Sequence, residues 1–363
     1  MAYSSTDPNG GDPGSPVTSE AGSARSATKR IGFIVPVVLL ALIGGYWWLH
    51  SHRRALPEAY VSERGATLWS TLAQVRQPVA ALRYGERIGV LEHRGDQVYV
   101  RTAEGSQGWV EGRALMDPAL WLRRAQLLEQ ARALPAQALG RTGRVCNVHL
   151  EPGRGALRVY QFARGAPVEM VARAVAEWTQ AGGEEEKPRS EDWLLVRGFT
   201  SSDEGPAGSE GEAAKAEPQV PVAGWVLARF IEFNVPNAVR DYASSAGMRV
   251  VAWFELNRVQ DPSGEKPQYL VAGYRGGEGQ PCDFTMIRVY TWGSQRQRYE
   301  TAYVESNLCG RLPIRMGKTA AGDPEFRFAA EGKTGREGRR YFMRQTIVRR
   351  VREGEPPSAH RRH

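Results

Sequence analysis

A cysteine and a histidine held side by side make a nucleophile and the base that activates it, so Cys146 and His149 are the first residues to weigh. They sit three apart in a strand-like run. Alternate residues of a strand point to opposite faces, so the two side chains are expected to diverge, as a buried thiol and a surface imidazole. No histidine lies between His149 and His360, which leaves the C-terminal part of the chain without an imidazole base outside its final tail. The six histidines (His50, His52, His93, His149, His360, His363) and three cysteines (Cys146, Cys282, Cys309) lack the paired spacing of a zinc site. Glu184, Glu185 and Glu186 share a charged loop and are read as solvation. No catalytic residue, metal or cofactor is expected.

Cys282 and Cys309 carry a different chemistry. Cys282 stands just before the strand-like run Phe284 to Tyr290, and Cys309 just after Tyr299 to Val304. If the two runs form an antiparallel hairpin, the cysteines reach the same end of neighbouring strands, where a bridge closes with Cα atoms about 4.4 to 6.8 Å apart. A disulfide is expected, with Cys146 left free. It would persist only in an oxidising compartment.

The elements that must position these residues come from a chain of 363 residues, long enough for two or three domains. With 41% hydrophobic and 24% charged residues it is globular in composition. Much of the net charge of +8 sits in the last thirty or so residues, where arginine dominates, so no broad nucleic-acid face is implied. Residues 1–30 are rich in Ser, Gly, Pro and Asp and read as a disordered tail. Residues 31–49 contain no charge; at 1.5 Å per residue they reach about 28 Å, enough to span a bilayer as one helix within 31–50. Tyr46, Trp47 and Trp48 then form an interfacial aromatic belt. A cleaved signal peptide is the competing reading, but no small-residue cleavage pattern follows the bulky belt. Charge does not orient the span, since Arg25, Lys29 and Arg30 are balanced by Arg53, Arg54 and Arg64.

Residues 56–116 alternate apolar and polar positions in short runs broken by turns, and a similar order recurs over 141–234. Tyr99-Val100-Arg101 leads to Gly108-Trp109-Val110, and Leu195-Val196-Arg197 leads to Gly224-Trp225-Val226. Here the chain resembles the bacterial SH3-like (SH3b) domain family, in tandem copies covering about 150 residues. The resemblance implies two small β-barrels, each with its Trp laid over the open end, and a binding role toward cell-wall material or a protein partner through Tyr99, Trp109, Trp193 and Trp225. Such domains often accompany papain-like wall peptidases. The second copy departs from the pattern by insertions over 180–191 and 200–223, which closure entropy tolerates.

Between the copies, over 117–135, Asp117 followed by Pro118 marks a helix start. Leu120, Leu127, Leu128, Ala131 and Leu134 form its apolar side, with Arg123, Arg124, Glu129 and Arg132 opposite, which predicts a rigid connector. Residues 245–351 predict an antiparallel sheet or sandwich of about six to eight strands, with no helix long enough for a crossover, and 352–363 a basic tail. The arginines alternating with apolar residues toward the C-terminus (Arg336, Arg339, Arg340, Arg344, Arg349, Arg350, Arg352) give one basic strand face, solvated or binding phosphate or lipid.

The sequence thus predicts a mainly β, single-pass membrane protein with its domains outside the cytoplasm (periplasmic), partnered by the bilayer through 31–49 and by a cell-wall or protein ligand. The alternatives are a tethered enzyme with its activity in the C-terminal domain, or a spacer within a membrane complex.

Overall fold

The computed structural model describes residues 56–179, 188–200, 219–332 and 335–351. The expected tail, span and aromatic belt (1–50), the basic tail (352–363) and most of the two insertions lie outside these residues. Pro57 to His363 form one compact unit. Among the described residues no helix is long and apolar enough to cross a membrane.

Alternation builds the first sheet. In β5 (Gln97–Arg101) Val98 and Val100 are buried while Gln97, Tyr99 and Arg101 face away, and in β6 (Gln107–Glu111) Gly108 and Val110 alternate with Trp109 in the same way. The remaining strands are β1 (Glu58–Val61), β2 (Gly65–Trp69), β3 (Pro78–Arg83), β4 (Arg87–Arg94) and β7 (Leu115–Met116), in the order β3-β2-β6-β5-β4-β1-β7. They enclose Val61, Leu68, Leu82, Ile88, Val98, Val100 and Val110.

The second sheet repeats this plan. Its strands β8 (Ala138–Thr142), β9 (Cys146–His149), β10 (Arg158–Phe162), β11 (Pro167–Trp178), β12 (Arg189–Phe199), β13 (Pro221–Leu227) and β14 (Ile231–Phe233) run in the order β10-β9-β13-β12-β11-β8-β14. Strand for strand, this is the order of the first sheet. In both, a single turn of 3₁₀ helix precedes the last strand, Gly112–Ala114 in one and Ala228–Phe230 in the other. The Gly before each Trp has the same cause in each copy. A Cβ on Gly108 would lie 2.6 Å from the Trp69 carbonyl oxygen, and one on Gly224 2.8 Å from that of His149. Strands β12 and β13 begin inside the stretches read as insertions, so the true loops are shorter than expected.

The connector α1 (Pro118–Ala133) starts as its residues dictate, the Asp117 side chain accepting from the Leu120 N–H at 2.8 Å. Its buried side differs from the expectation at one position. Arg124, assigned to the exposed side, is 4% exposed and lies over the rings of Tyr84 and Trp121. Its guanidinium donates to the Pro221 carbonyl, so the charge is buried with partners.

The C-terminal region is a sandwich of eight strands. One sheet holds β15 (Arg249–Val259), β16 (Lys266–Tyr274), β17 (Met286–Gly293) and β18 (Arg298–Glu305); the other holds β19 (Gly310–Lys318), β20 (Pro324–Gly332), β21 (Gly335–Arg344) and β22 (Ile347–Val351). Leu270, Ala272, Ile287 and Val289 of the first meet Phe326, Phe328, Tyr341 and Met343 of the second in one core. A short helix that the sequence reading did not foresee, α2 (Asn237–Ser245), brings Val239 and Ala243 to Tyr269, Val271, Met286 and Tyr290 on the other face of the first sheet.

Buried polar residues fasten the sandwich to the second sheet. Gln137, 1% exposed, donates from Nε2 to the Ile314 carbonyl at 3.1 Å and accepts the Ile314 N–H on Oε1 at 2.7 Å. Arg173, whose side chain is 2% exposed, pairs with Asp192 at 2.6 Å and Asp283 at 3.4 Å, and also donates to the carbonyls of Gln280 and Cys282. Desolvation holds the Asp283 carboxyl above its ordinary range.

Candidate functional site

On the outer face of the first sheet three aromatic residues line up across adjacent strands. Trp69 on β2 stands opposite Trp109 on β6, and Trp109 opposite Tyr99 on β5. The Tyr99 and Trp109 ring centroids are 5.0 Å apart. All three are half-buried and stand outside the apolar core beneath them. Trp109 therefore does not cover the end of the sheet, as the resemblance led us to expect; strand alternation aims it outward, in the middle of the face. Arg76 lies 4.2 Å from the Trp69 ring centroid and Arg94 5.4 Å from that of Trp109, so two guanidiniums flank the row.

Farther along the same strands, a cleft of about 810 Å³ is lined by His93, Gly95, Asp96, Gln97, Glu111 and Arg113 among others. Gln97 and Glu111 are opposed on β5 and β6, two pairs along from Tyr99 and Trp109 and so on the same face. The Gln97 side-chain oxygen is buried there without a hydrogen-bond partner. Chemically, the surface offers π faces for the C–H groups of a sugar or a flat peptide, guanidiniums for a carboxylate, and an amide acceptor in a cleft. Nothing in the residue types flags the cleft, because its lining is assembled from three separated stretches, within 57–59, 90–98 and 111–117.

In the second sheet every one of these positions but that of Trp109, which keeps a tryptophan as Trp225, has been changed. Register places His149 opposite Trp225, where the first sheet has Trp69 opposite Trp109, and Leu195 opposite Trp225, where it has Tyr99. Gln97 becomes Trp193 and Glu111 becomes Leu227. Trp193 is only 1% exposed, its ring edge against His149 at 5.3 Å. It is an interior residue and offers no face to a ligand. Helix α1 covers what remains, Leu127, Leu128 and Ala131 joining Leu195, Ala223 and Trp225 in one apolar cluster. Arg197, the counterpart of Arg101, donates to the carbonyls of Ala131 and Leu134 at 3.0 Å each and so caps the helix C-terminus.

Cys146 and His149 do not form a catalytic pair. Cys146 is 2% exposed and faces the core, and burial pushes its thiol up to about 11. His149 points to the other side, its Nδ1 2.8 Å from the Ala156 carbonyl oxygen. Cys282 and Cys309 are joined by a disulfide with Cα atoms 4.9 Å apart, and Cys146 is free. The bridge lies at the end of the β17–β18 hairpin, where Phe284 pairs with Gly310 as the chain passes from one sheet of the sandwich to the other. Among the described residues no group of three or more His, Cys, Asp or Glu could hold a metal ion.

No family model matches the chain, and no curated protein matches it. Among solved structures, an NlpC/P60 family protein from Bacillus cereus aligns over 69% of this chain and 94% of its own at 10% identity, with a TM-score of 0.21. NlpC2 from Trichomonas vaginalis aligns over 69% of this chain and 96% of its own at 8% identity, with a TM-score of 0.16. NlpC1 from the same organism gives 69%, 88%, 7% and 0.16 respectively. Superpositions this poor define neither fold nor chemistry for this chain.

Proposed function

We propose that this chain is a membrane-anchored envelope binding protein, its two SH3-like domains held outside the cytoplasm by residues 31–49, and that the first domain grips cell-wall polymer on the Trp69–Trp109–Tyr99 row. One observation carries the reading. Two copies with the same strand order treat the same face differently: the second puts Leu195 and Trp193 where the first has Tyr99 and Gln97 and packs helix α1 against Leu195 and Trp225, while the first leaves Trp69, Trp109 and Tyr99 half-buried outside its core. Large aromatic groups are stable against solvent only at a cost in hydrophobic free energy, so an open row that its sister copy closes is a surface kept for a ligand. The flanking Arg76 and Arg94 favour a ligand with carboxylates, such as the acidic sugars and stem peptides of a wall polymer. The Cys282–Cys309 bridge supports an oxidising compartment and with it the orientation of the anchor.

The test is co-sedimentation of the full chain with purified cell wall. Trp109→Ala and Trp69→Ala should each lower the bound fraction about tenfold, the loss of roughly 1.4 kcal/mol expected for one stacked ring. Wall binding unchanged by both substitutions would overturn the assignment of the site. Alkaline phosphatase fused after His363 should be active in cells, and an inactive fusion would overturn the orientation.

A further inference from the structure

The outer face of the second sandwich sheet carries a concentration of arginine that its fold does not use. Arg315, Arg327 and Arg340 stand directly opposite one another on β19, β20 and β21. Like charges placed so destabilise a sheet. Arg340 is offset by Glu325 at 2.5 Å, and Arg344 by Asp323 at 2.8 Å. Arg315, Arg327 and Arg349 are exposed and have no ion pair among the described residues. Apolar side chains stand between these charges. Phe342 faces outward opposite Arg349, and Ile347, 57% exposed, stands opposite Arg344 beside the hairpin turn. β20–β21 keep an unbroken register from Glu325↔Phe342 to Gly332↔Gly335, β21–β22 are likewise regular, and β19–β20 shift register only before Arg315, so these side chains share one continuous sheet face.

We infer that this face docks on an anionic lipid bilayer, its arginines meeting headgroup phosphates while Ile347 and Phe342 enter between the headgroups. A small anion would call for a concave site, and a row of guanidiniums across three strands matches the repeated phosphates of a bilayer surface. The interleaved apolar groups decide for a lipid surface over a soluble polyanion, because only the bilayer offers them hydrocarbon. The inference is independent of the aromatic row: loss of wall binding leaves it untouched.

Ile347→Cys in the full chain provides the probe. The native thiols do not compete, since Cys146 is buried and the other two are bridged. An environment-sensitive fluorophore at this position should shift to the blue in vesicles of phosphatidylcholine with phosphatidylglycerol, relative to phosphatidylcholine alone, and the shift should fall with salt. Replacing Arg315, Arg327 and Arg349 together by Gln should reduce the shift several-fold, and replacing them by Lys should restore most of it. Melting of the Gln variant at or above the parent temperature would show that the fold is intact. Equal spectra in the two kinds of vesicle would overturn the inference. So would a shift of the same size produced by soluble polyphosphate over neutral vesicles.

Discussion

Trp109 and Trp225 occupy the same place in two sheets of identical strand order, yet Trp109 faces outward beside Tyr99 while Trp225 lies against the cluster that α1 forms with Leu195. The two substitutions should therefore separate stability from binding. Trp225→Ala should cost about 2 to 4 kcal/mol, since it empties a packed site. Trp109→Ala should cost less, about 1 to 2 kcal/mol, because its ring stands outside the apolar cluster beneath the first sheet. Urea unfolding of both variants checks this. Equal losses would mean that the two rings do the same structural work.

Gln137 should prove the strongest single polar tie between the second sheet and the sandwich. Gln137→Leu keeps the volume but strands both the N–H and the C=O of Ile314 in a dry interface. Each buried group left unsatisfied costs about 1 to 3 kcal/mol, so the variant should lose about 2 to 6 kcal/mol. Hydrogen exchange at Ile314 would localise the effect, with protection falling there before it falls elsewhere.

Strand periodicity made most of this fold legible in the sequence, and the repeated Gly-Trp-Val fixed the pairing of Tyr99 with Leu195 and of Trp109 with Trp225 before any geometry was known. What stayed hidden was tertiary. Trp193 reads like a surface aromatic because nothing local says that it lies in the interior with the His149 ring against its edge. Arg124 reads as part of the charged side of the helix, and it is Tyr84, 40 residues away, and the Pro221 carbonyl, 97 residues away, that help give its charge a place to be buried. The run from Tyr341 to Val351 reads as one strand, but Gln345 takes a φ of 55° and folds it into a hairpin without a glycine to mark the turn. The cleft beside Trp109 draws on residues from Pro57 to Asp117, a juxtaposition no spacing rule encodes.

Acid should loosen the second sheet through Glu191. Its carboxylate is held at about 2, first by the hydrogen bonds from Arg154 and then by those from Arg229, at 2.6 and 2.7 Å. The unfolded chain binds this proton more readily, near 4.3, so the contribution is complete above about pH 5 and disappears as pH falls toward 2. With both guanidiniums more than a third exposed, about 2 kcal/mol is the expected size. Glu191→Gln should be less stable than the parent at pH 7 and nearly level with it at pH 2. A difference that persists undiminished at pH 2 would exclude this carboxylate as the cause.

The disulfide makes the last prediction, and it joins stability to compartment. Cys282 and Cys309 close a loop with a sequence separation of 27, for which chain-entropy estimates give roughly 3 to 4 kcal/mol. The bridge sits where the chain crosses between sandwich sheets, and Cys282 also offers its carbonyl to Arg173, so its loss should be felt at the junction with the second sheet as well as inside the sandwich. Cys282→Ser with Cys309→Ser should lower stability by that amount and expose the loop before Phe284 to protease. Cys146 supplies the internal control. Its thiol, buried and raised to about 11, should resist alkylation in the native protein and react fully in denaturant. Alkylation of freshly isolated membranes followed by mass spectrometry should then find no label on any cysteine before reduction. Label on Cys282 and Cys309 at that stage would show reduced thiols in the cell, and would take from the proposed orientation the support that the bridge lends it.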